Sequence, residues 1–257
     1  MPTGTIPPPQ LLRPWGGKSA RSCSVSLEFQ LRLNKYISET GVCSRREADK
    51  WIDAGRVTCN GRVATLGTRV TEGDKVCIDG EPIGAKKQQI YIALNKPVGV
   101  TCTTETHIED NVIDLIRYPE RIFPIGRLDK DSEGLILLTN DGDIVNEILR
   151  SENNHEKEYL VTVDRAITDL ALKMMADGVK IMGELTKPAR VIRIDQRSFR
   201  IILTQGLNRQ IRRMCSALGY RAQRLQRVRI MNVHLGTLSA GQWRHLTTRE
   251  LAGLLPR

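Results

Sequence analysis

The sequence predicts an α+β protein built in two parts, and three observations carry that prediction. Residues 31–78 alternate two short helical patterns with hairpin signals, the pattern of a small α/β module. Residues 79–89 then hold Gly80, Pro82, Gly84, Lys86 and Lys87, the composition of a linker. Over residues 90–257, apolar stretches of strand length at 90–94, 135–139, 159–163 and 199–203 outnumber the helical segments, as a mixed, largely antiparallel sheet with a few helices requires.

Taken in order, residues 1–30 contain Pro7, Pro8, Pro9, Pro14, Gly16 and Gly17 with little periodicity. Too little apolar surface is available there to offset chain entropy, so a disordered tail is expected. The tail lacks acids before Glu28, as organellar transit peptides do, but it has neither their amphipathic arginine-rich helix nor the apolar stretch of a secretory signal. From residue 31, Leu33, Tyr36 and Ile37 fall at i, i+3 and i+4 of a first helix. Ser44 and Glu47 form a capping box opening a second, whose Ala48, Trp51 and Ile52 repeat the spacing before Gly55 ends it. Val57-Thr58-Cys59 and Arg62-Val63-Ala64 flank Asn60-Gly61, a preferred hairpin turn, and residues 75–78 offer a further strand. In the larger part, helices are expected at residues 144–149, 169–175 and 209–218.

A length of 257 residues with 40% hydrophobic content suffices for one large domain and one small one. The net charge of +10 favours a polyanionic partner, because basic side chains release counterions from phosphate backbones. Nucleic acid comes first and an anionic membrane surface second. No apolar run approaches the roughly 20 residues that span a bilayer. The six cysteines (Cys23, Cys43, Cys59, Cys77, Cys102, Cys215) and four histidines are scattered, with no zinc-knuckle or redox CxxC spacing. Reduced thiols in a soluble, cytoplasmic protein are expected.

Between residues 31 and 78, nine Lys and Arg face six acids, and Arg45, Arg46 and Lys50 cluster on the helix face opposite Trp51. The run LRLNKYISETGVCSRREADKWIDAGRVTCNG resembles the S4 RNA-binding domain. That resemblance implies a grip on structured RNA through phosphates and shape, with Arg32, Lys35, Arg45, Arg46 and Lys50 as the expected contacts.

Three separated segments carry the chemistry of the larger part. Gly126-Arg127-Leu128-Asp129-Lys130-Asp131-Ser132-Glu133-Gly134 precedes an apolar strand. Its acids suggest an EF-hand, but position 12 would be Asn140 instead of a bidentate Glu, and strand residues follow where the loop should continue. Lys157-Glu158-Tyr159-Leu160-Val161 places a tyrosine at the head of a strand. Finally, Gln205 to Met214 opens a helix with Ile211, Met214, Cys215 and Leu218 as its buried stripe, Asn208 able to cap it and Gly219 ending it. Arg209, Arg212 and Arg213 must point away from that stripe. From Gln205 to Arg229 there are seven arginines and no acid, an uncompensated run that favours phosphate contact.

GRLDKDSEGLILLTNDGD, HEKEYLVTV and GLNRQIRRM, in this order, resemble the small-subunit-type (RsuA/RluB/E/F) branch of RNA pseudouridine synthases, over residues 31 to about 255. FPIGRLDKDSEGLI and QGLNRQIRRMC are especially similar to the F group of the 23S ribosomal RNA enzymes in that branch. The resemblance implies isomerisation of a flipped-out uridine, cut from its ribose at N1 and rejoined through C5. Asp129 matches the nucleophilic aspartate, Arg212 the arginine paired with it, Tyr159 the tyrosine stacked on the base, and Leu225 the pocket-wall leucine. Arg127, Leu128, Leu160, Arg209 and Arg213 complete the expected substrate contacts. Neither metal nor cofactor is implied, since no redox change occurs. The expected partner is RNA, 23S ribosomal RNA first and transfer RNA as an alternative, with a monomer as the default. A non-catalytic RNA-binding or ribosome-assembly protein remains the competing reading. A hydrolytic glycosidase would need a second carboxylate roughly 5–9.5 Å from the first, for which Asp131 or Glu133 are candidates.

Overall fold

A computed structural model of the protein describes residues 30–85, 87–105, 107–149 and 155–254. The tail expected over residues 1–30 lies, apart from Gln30, outside the described residues.

The small module runs β1 (Leu31–Arg32), α1 (Leu33–Glu39), α2 (Arg45–Asp53), β2 (Val57–Cys59), β3 (Arg62–Val63), β4 (Arg69–Val70), β5 (Val76–Ile78) and β6 (Glu81–Pro82). Ser44 caps α2 by accepting the Glu47 N–H at 3.1 Å. Leu33, Ile37, Ala48, Ile52, Val57, Val70 and Val76 close a core separate from the rest of the chain. The Asn60-Gly61 turn is present, with φ of 52° and 78°, the geometry whose twist matches the flanking strands.

The linker expected over residues 79–89 instead begins as a second hairpin. Asp79 and Gly80, at φ 51° and 86°, reverse the chain so that Pro82 pairs with Cys77. Asp-Gly is the same kind of turn signal as Asn-Gly, and Pro82 is accommodated because β6 is an edge strand.

The larger part runs β7 (Tyr91–Lys96), α3 (Val112–Ile116), β8 (Phe123–Ile125), β9 (Glu133–Thr139), α4 (Gly142–Leu149), β10 (Lys157–Val163), α5 (Asp169–Asp177), β11 (Lys180–Ile181), β12 (Glu184–Leu185), β13 (Arg190–Arg193) and β14 (Ser198–Leu203). It continues through α6 (Gln210–Ala217), β15 (Ala222–Ile230), β16 (Val233–His234), β17 (Trp243–His245) and α7 (Thr248–Leu254). Its main sheet has the order β13-β14-β10-β15-β9-β7-β17, with β8 beside β9 and β16 beside β15. The sheet is mixed and largely antiparallel, as expected; within it only β9 and β15 pair in parallel. At that seam Gly134 sits at φ 105°, and a Cβ there would stand 2.3 Å from the Arg227 carbonyl oxygen. Glycine alone lets the two strands approach.

Apolar residues of β10, β14, α5 and α6 form one core, those of β7, β9, α4 and α7 a second, and those of β7, β9 and α3 a third. Tyr159 packs against the first and the third, so it stands where two cores meet. β7 buries all six of its residues, including Lys96, whose ammonium donates to the carbonyls of Pro97 at 2.9 Å and Val100 at 2.8 Å.

The C-terminal helix α7 is pinned to β17 by a two-pronged pair. Arg244 Nη1 and Nη2 donate to Glu250 Oε2 and Oε1 at 2.8 and 2.7 Å. These bonds hold the Glu250 carboxyl down at about 2. A carboxyl depressed in the folded state stabilises the fold above its unfolded value, near 4.5, and loses that contribution as pH falls towards 2. Wild type is therefore expected to lose about 1–2 kcal/mol more than Glu250→Gln between those pH values, after allowance for solvent screening. Chemical denaturation of both proteins across the range checks it; parallel pH profiles would contradict it.

No helix among the described residues is long and apolar enough to cross a membrane.

Candidate active site

The seam between β9 and β15 opens into a cavity of about 810 Å³. Asp129 lies in the turn between β8 and β9 that enters it, with its carbonyl accepting the Ser132 N–H at 3.0 Å. Tyr159 reaches the cavity from β10, Leu225 and Arg227 from β15, and Arg209 and Arg212 from the head of α6. Arg127 and Leu128 also line it, with Leu128 buried and its N–H donated to Cys102 Sγ at 3.4 Å.

Arg209 and Arg212 divide their work differently from what the resemblance implies. Asp129 and Arg212 share the cavity, but the cation beside the carboxylate is Arg209, with Nη1 at 3.4 Å from Asp129 Oδ2. Arg209 also forks onto Asp131, at 3.0 and 2.9 Å. Arg212 instead holds main chain. It donates to the carbonyls of Asp131 at 2.7 Å and Ala222 at 3.0 Å, and to Ser132 Oγ at 3.1 Å. Its Nε stands 3.3 Å from Asp131 Oδ2 without completing a hydrogen bond. Arg212 thus clamps the turn that carries Asp129 to the start of β15.

This division follows from the backbone. Arg209 is the residue before α6 and takes a left-handed conformation, φ 50°, which turns its side chain towards Asp129 and Asp131. Asn208, expected to cap the helix, makes no cap bond; its side-chain oxygen accepts from Arg213 at 3.2 Å. Such a non-glycine conformation is strained and concentrates where function fixes it. Arg209 and then Arg212 hold the Asp131 carboxyl below its ordinary range, chiefly through the Arg209 hydrogen bond.

Two expected contacts lie elsewhere. Leu160 alternates with Tyr159 along β10 and so faces away from the cavity, while Arg213 is turned back onto Asn208. The arginine run is also less uncompensated than its sequence implies. Arg224 pairs with Glu133, and Arg229 with Glu156 at 2.9 Å and Glu158 at 2.8 Å, acids far away in sequence. Asp131 and Glu133 are both committed to arginines and neither lines the cavity, so neither of the two candidates is placed for glycoside hydrolysis. Among the described residues no group of three or more His, Cys, Asp or Glu could hold a metal ion.

In the small module the five expected contacts separate into two sets. Arg32, Arg46 and Lys50 are all exposed on the surface of the module. Lys35 and Arg45 instead reach Asp143 of α4, at 2.6 and 3.5 Å, and tie the module to the larger part. Lys87 adds a pair with Glu120 at 3.5 Å.

Three cations escaped the sequence analysis. Lys96 is buried and Lys157 half-buried, and desolvation lowers the pKa of each. Arg227 is 4% exposed. Arg227 was visible only as one arginine of the basic run, and Lys157 only through the Lys-Glu-Tyr spacing that puts it on the Tyr159 face of a strand.

The site thus sets a carboxylate from a cation-clamped turn and a tyrosine from β10 around one cavity at the sheet seam. Residues 90–217 match the family model of RNA pseudouridylate synthase, and residues 31–76 match that of the S4 domain. The chain belongs to the RNA pseudouridine synthases, with an S4 domain in front. It is 54% identical over 229 residues to the dual-specificity RNA pseudouridine synthase RluF of Escherichia coli (strain K12), covering 88% of this chain and 79% of that one. It is 34% identical over 232 residues to the ribosomal large subunit pseudouridine synthase B of Bacillus subtilis (strain 168), covering 87% and 95%. A crystal structure of a pseudouridylate synthase superposes with a TM-score of 0.65 at 31% identity, over 88% of this chain and 100% of that one. Isomerisation of uridine in RNA is therefore the activity of this fold, and RNA is its substrate.

Proposed function

We propose that the protein converts a flipped-out uridine of 23S ribosomal RNA to pseudouridine, with Asp129 as nucleophile and Tyr159 as the surface on which the base lies. The observation that carries this reading is the placement of Asp129, Tyr159 and Leu225 around one cavity at the sheet seam. A nucleotide must leave its stack to enter, at a cost of a few kcal/mol, and Arg127 on the cavity wall is suited to hold its phosphate. Arg209 places a cation beside the Asp129 carboxylate that would attack, while Arg212 positions the turn that carries it. Arg32, Arg46 and Lys50 supply phosphate contacts on the S4 domain.

The domains are assigned as 31–78 for RNA binding and 90–257 for catalysis, working as a monomer in the cytoplasm. Similarity to a dual-specificity enzyme favours a second substrate, and transfer RNA is the one to examine first.

Pseudouridine mapping in a deletion strain tests this reading. One 23S site is expected to vanish, to return with the wild-type chain and to stay absent with Asp129→Asn. A full set of 23S pseudouridines in the deletion strain would overturn the substrate assignment.

A further inference from the structure

We infer that Arg227 is a catalytic residue of this site: the free Nη2 of its buried guanidinium donates to a ring carbonyl of the uracil and takes up the negative charge that develops there. The inference rests on the reading of the cavity as the uridine pocket.

Arg227 is fixed on two sides. Nε donates to the Leu135 carbonyl at 2.7 Å and Nη1 to the Arg127 carbonyl at 3.4 Å, whereas Nη2 is buried and has no partner. The guanidinium carbon lies 6.0 Å from the centroid of the Tyr159 ring, and the side chain lines the same cavity as Asp129. Tyr159 and Arg227 are directly opposed across the β10–β15 ladder, so the ring and the guanidinium come as a unit. A buried guanidinium held by carbonyls alone, with one nitrogen unsatisfied, is costly, and an apolar side chain would fill the seam without that cost. Lys157 lines the same cavity, with one long hydrogen bond to the His155 carbonyl at 3.5 Å, and Arg227 repels it. This end of the cavity therefore holds more positive charge than Asp129 and Glu184, the acids that line it, can offset.

Uracil supplies the missing anion during the reaction. When the N1–C1′ bond breaks, its electron pair goes to the base, and the charge is shared by O2 and O4. The Asp129 carboxylate fills the vacant bond at C1′. C5 then attacks C1′, the carboxylate departs with its pair, the proton of C5 is lost and N1 gains one, so the composition is unchanged. If Asp129 adds to C6 of the ring instead, the electron pair of the C5–C6 double bond moves onto the C4 carbonyl, so O4 carries the charge of that step. A fixed donor that meets an oxygen only as charge develops there stabilises the transition state more than the bound substrate.

The test compares Arg227→Met and Arg227→Lys with wild type in single turnover on two RNAs, one with uridine and one with 5-fluorouridine at the modified position. Fluorine makes the departing base a weaker base, so it needs less help. Breakage of the N1–C1′ bond is read by nuclease digestion and mass spectrometry. Arg227→Met is expected to slow cleavage of the uridine RNA about 100-fold, with RNA affinity within about threefold of wild type. The loss should shrink to under about tenfold on the fluorinated RNA, and Arg227→Lys should recover part of the rate. Equal losses on both RNAs, as a structural role would give, or wild-type rates in Arg227→Met, overturn the inference. If Arg227→Met does not melt cooperatively, the ratio of losses in Arg227→Lys decides. A wild-type chain that leaves both RNAs unmodified would overturn the uridine-pocket reading itself, a result separable from any loss confined to the variants.

Discussion

Asp129→Asn is expected to slow single-turnover isomerisation by about four orders of magnitude or more, the scale seen when a nucleophile acting within a unit is removed. The RNA dissociation constant should change by less than about threefold, because Asp129 contributes no cation to the phosphates. The substitution keeps the shape of the side chain and the turn hydrogen bond from Ser132 N–H to the residue 129 carbonyl, since that bond involves main chain only. What it removes is the anionic oxygen beside Arg209. An amide neither attacks carbon nor stabilises positive charge at a sugar carbon, so the route closes whichever atom Asp129 engages. Rapid-quench assays with filter binding measure both quantities. An Asn variant within about tenfold of wild type would remove Asp129 from the chemistry.

Arg212→Ala is expected to lower the same rate by about 1,000-fold through displacement of the nucleophile, since a shift of about 1 Å alone can cost about 100-fold. It also leaves the Ala222 carbonyl without its charged donor and frees the turn at Asp131 and Ser132. A loss of about 2–4 kcal/mol follows for a charged donor shared by three acceptors, two of them half-buried, or roughly 5–10 °C in melting temperature. Arg212→Lys should rescue little, because an ammonium lacks the planar fork that reaches the turn and β15 at once. Arg209→Ala serves as the control. Its partners are half-exposed carboxylates, so it should melt within about 2 °C of wild type while slowing the reaction. If Arg209→Ala unfolds early and Arg212→Ala melts normally, the two assignments are reversed.

Local order in the chain told most of the fold. The Ser44 cap, the Asn60-Gly61 turn and the alternation at 159–163 each depend on near neighbours, and each is present. β15 was legible only as a basic run, for a physical reason. Its register against β10 shifts between Glu158 and Tyr159 and again between Thr162 and Val163, so two bulges on β15 break its alternation. The site was legible in its membership and less so in its pairings. The motifs named Asp129, Tyr159, Arg212 and Leu225, all of which line the cavity. They could not say that a left-handed Arg209 would take the place beside Asp129, because that depends on one backbone angle. Nor could they show that Lys35 and Arg45 meet Asp143, a contact between residues far apart in sequence. Charge patterns report how much charge is present, while its partners are set by the tertiary fold.

A crystal structure of Asp129→Asn bound to its RNA tests the central claim most directly. The account predicts the target uracil lying on the Tyr159 ring inside the cavity, with the residue 129 side chain about 3–3.5 Å from the ribose C1′ or the base. A uridine left stacked in its helix, or flipped to a surface from which residue 129 is out of reach, would contradict it.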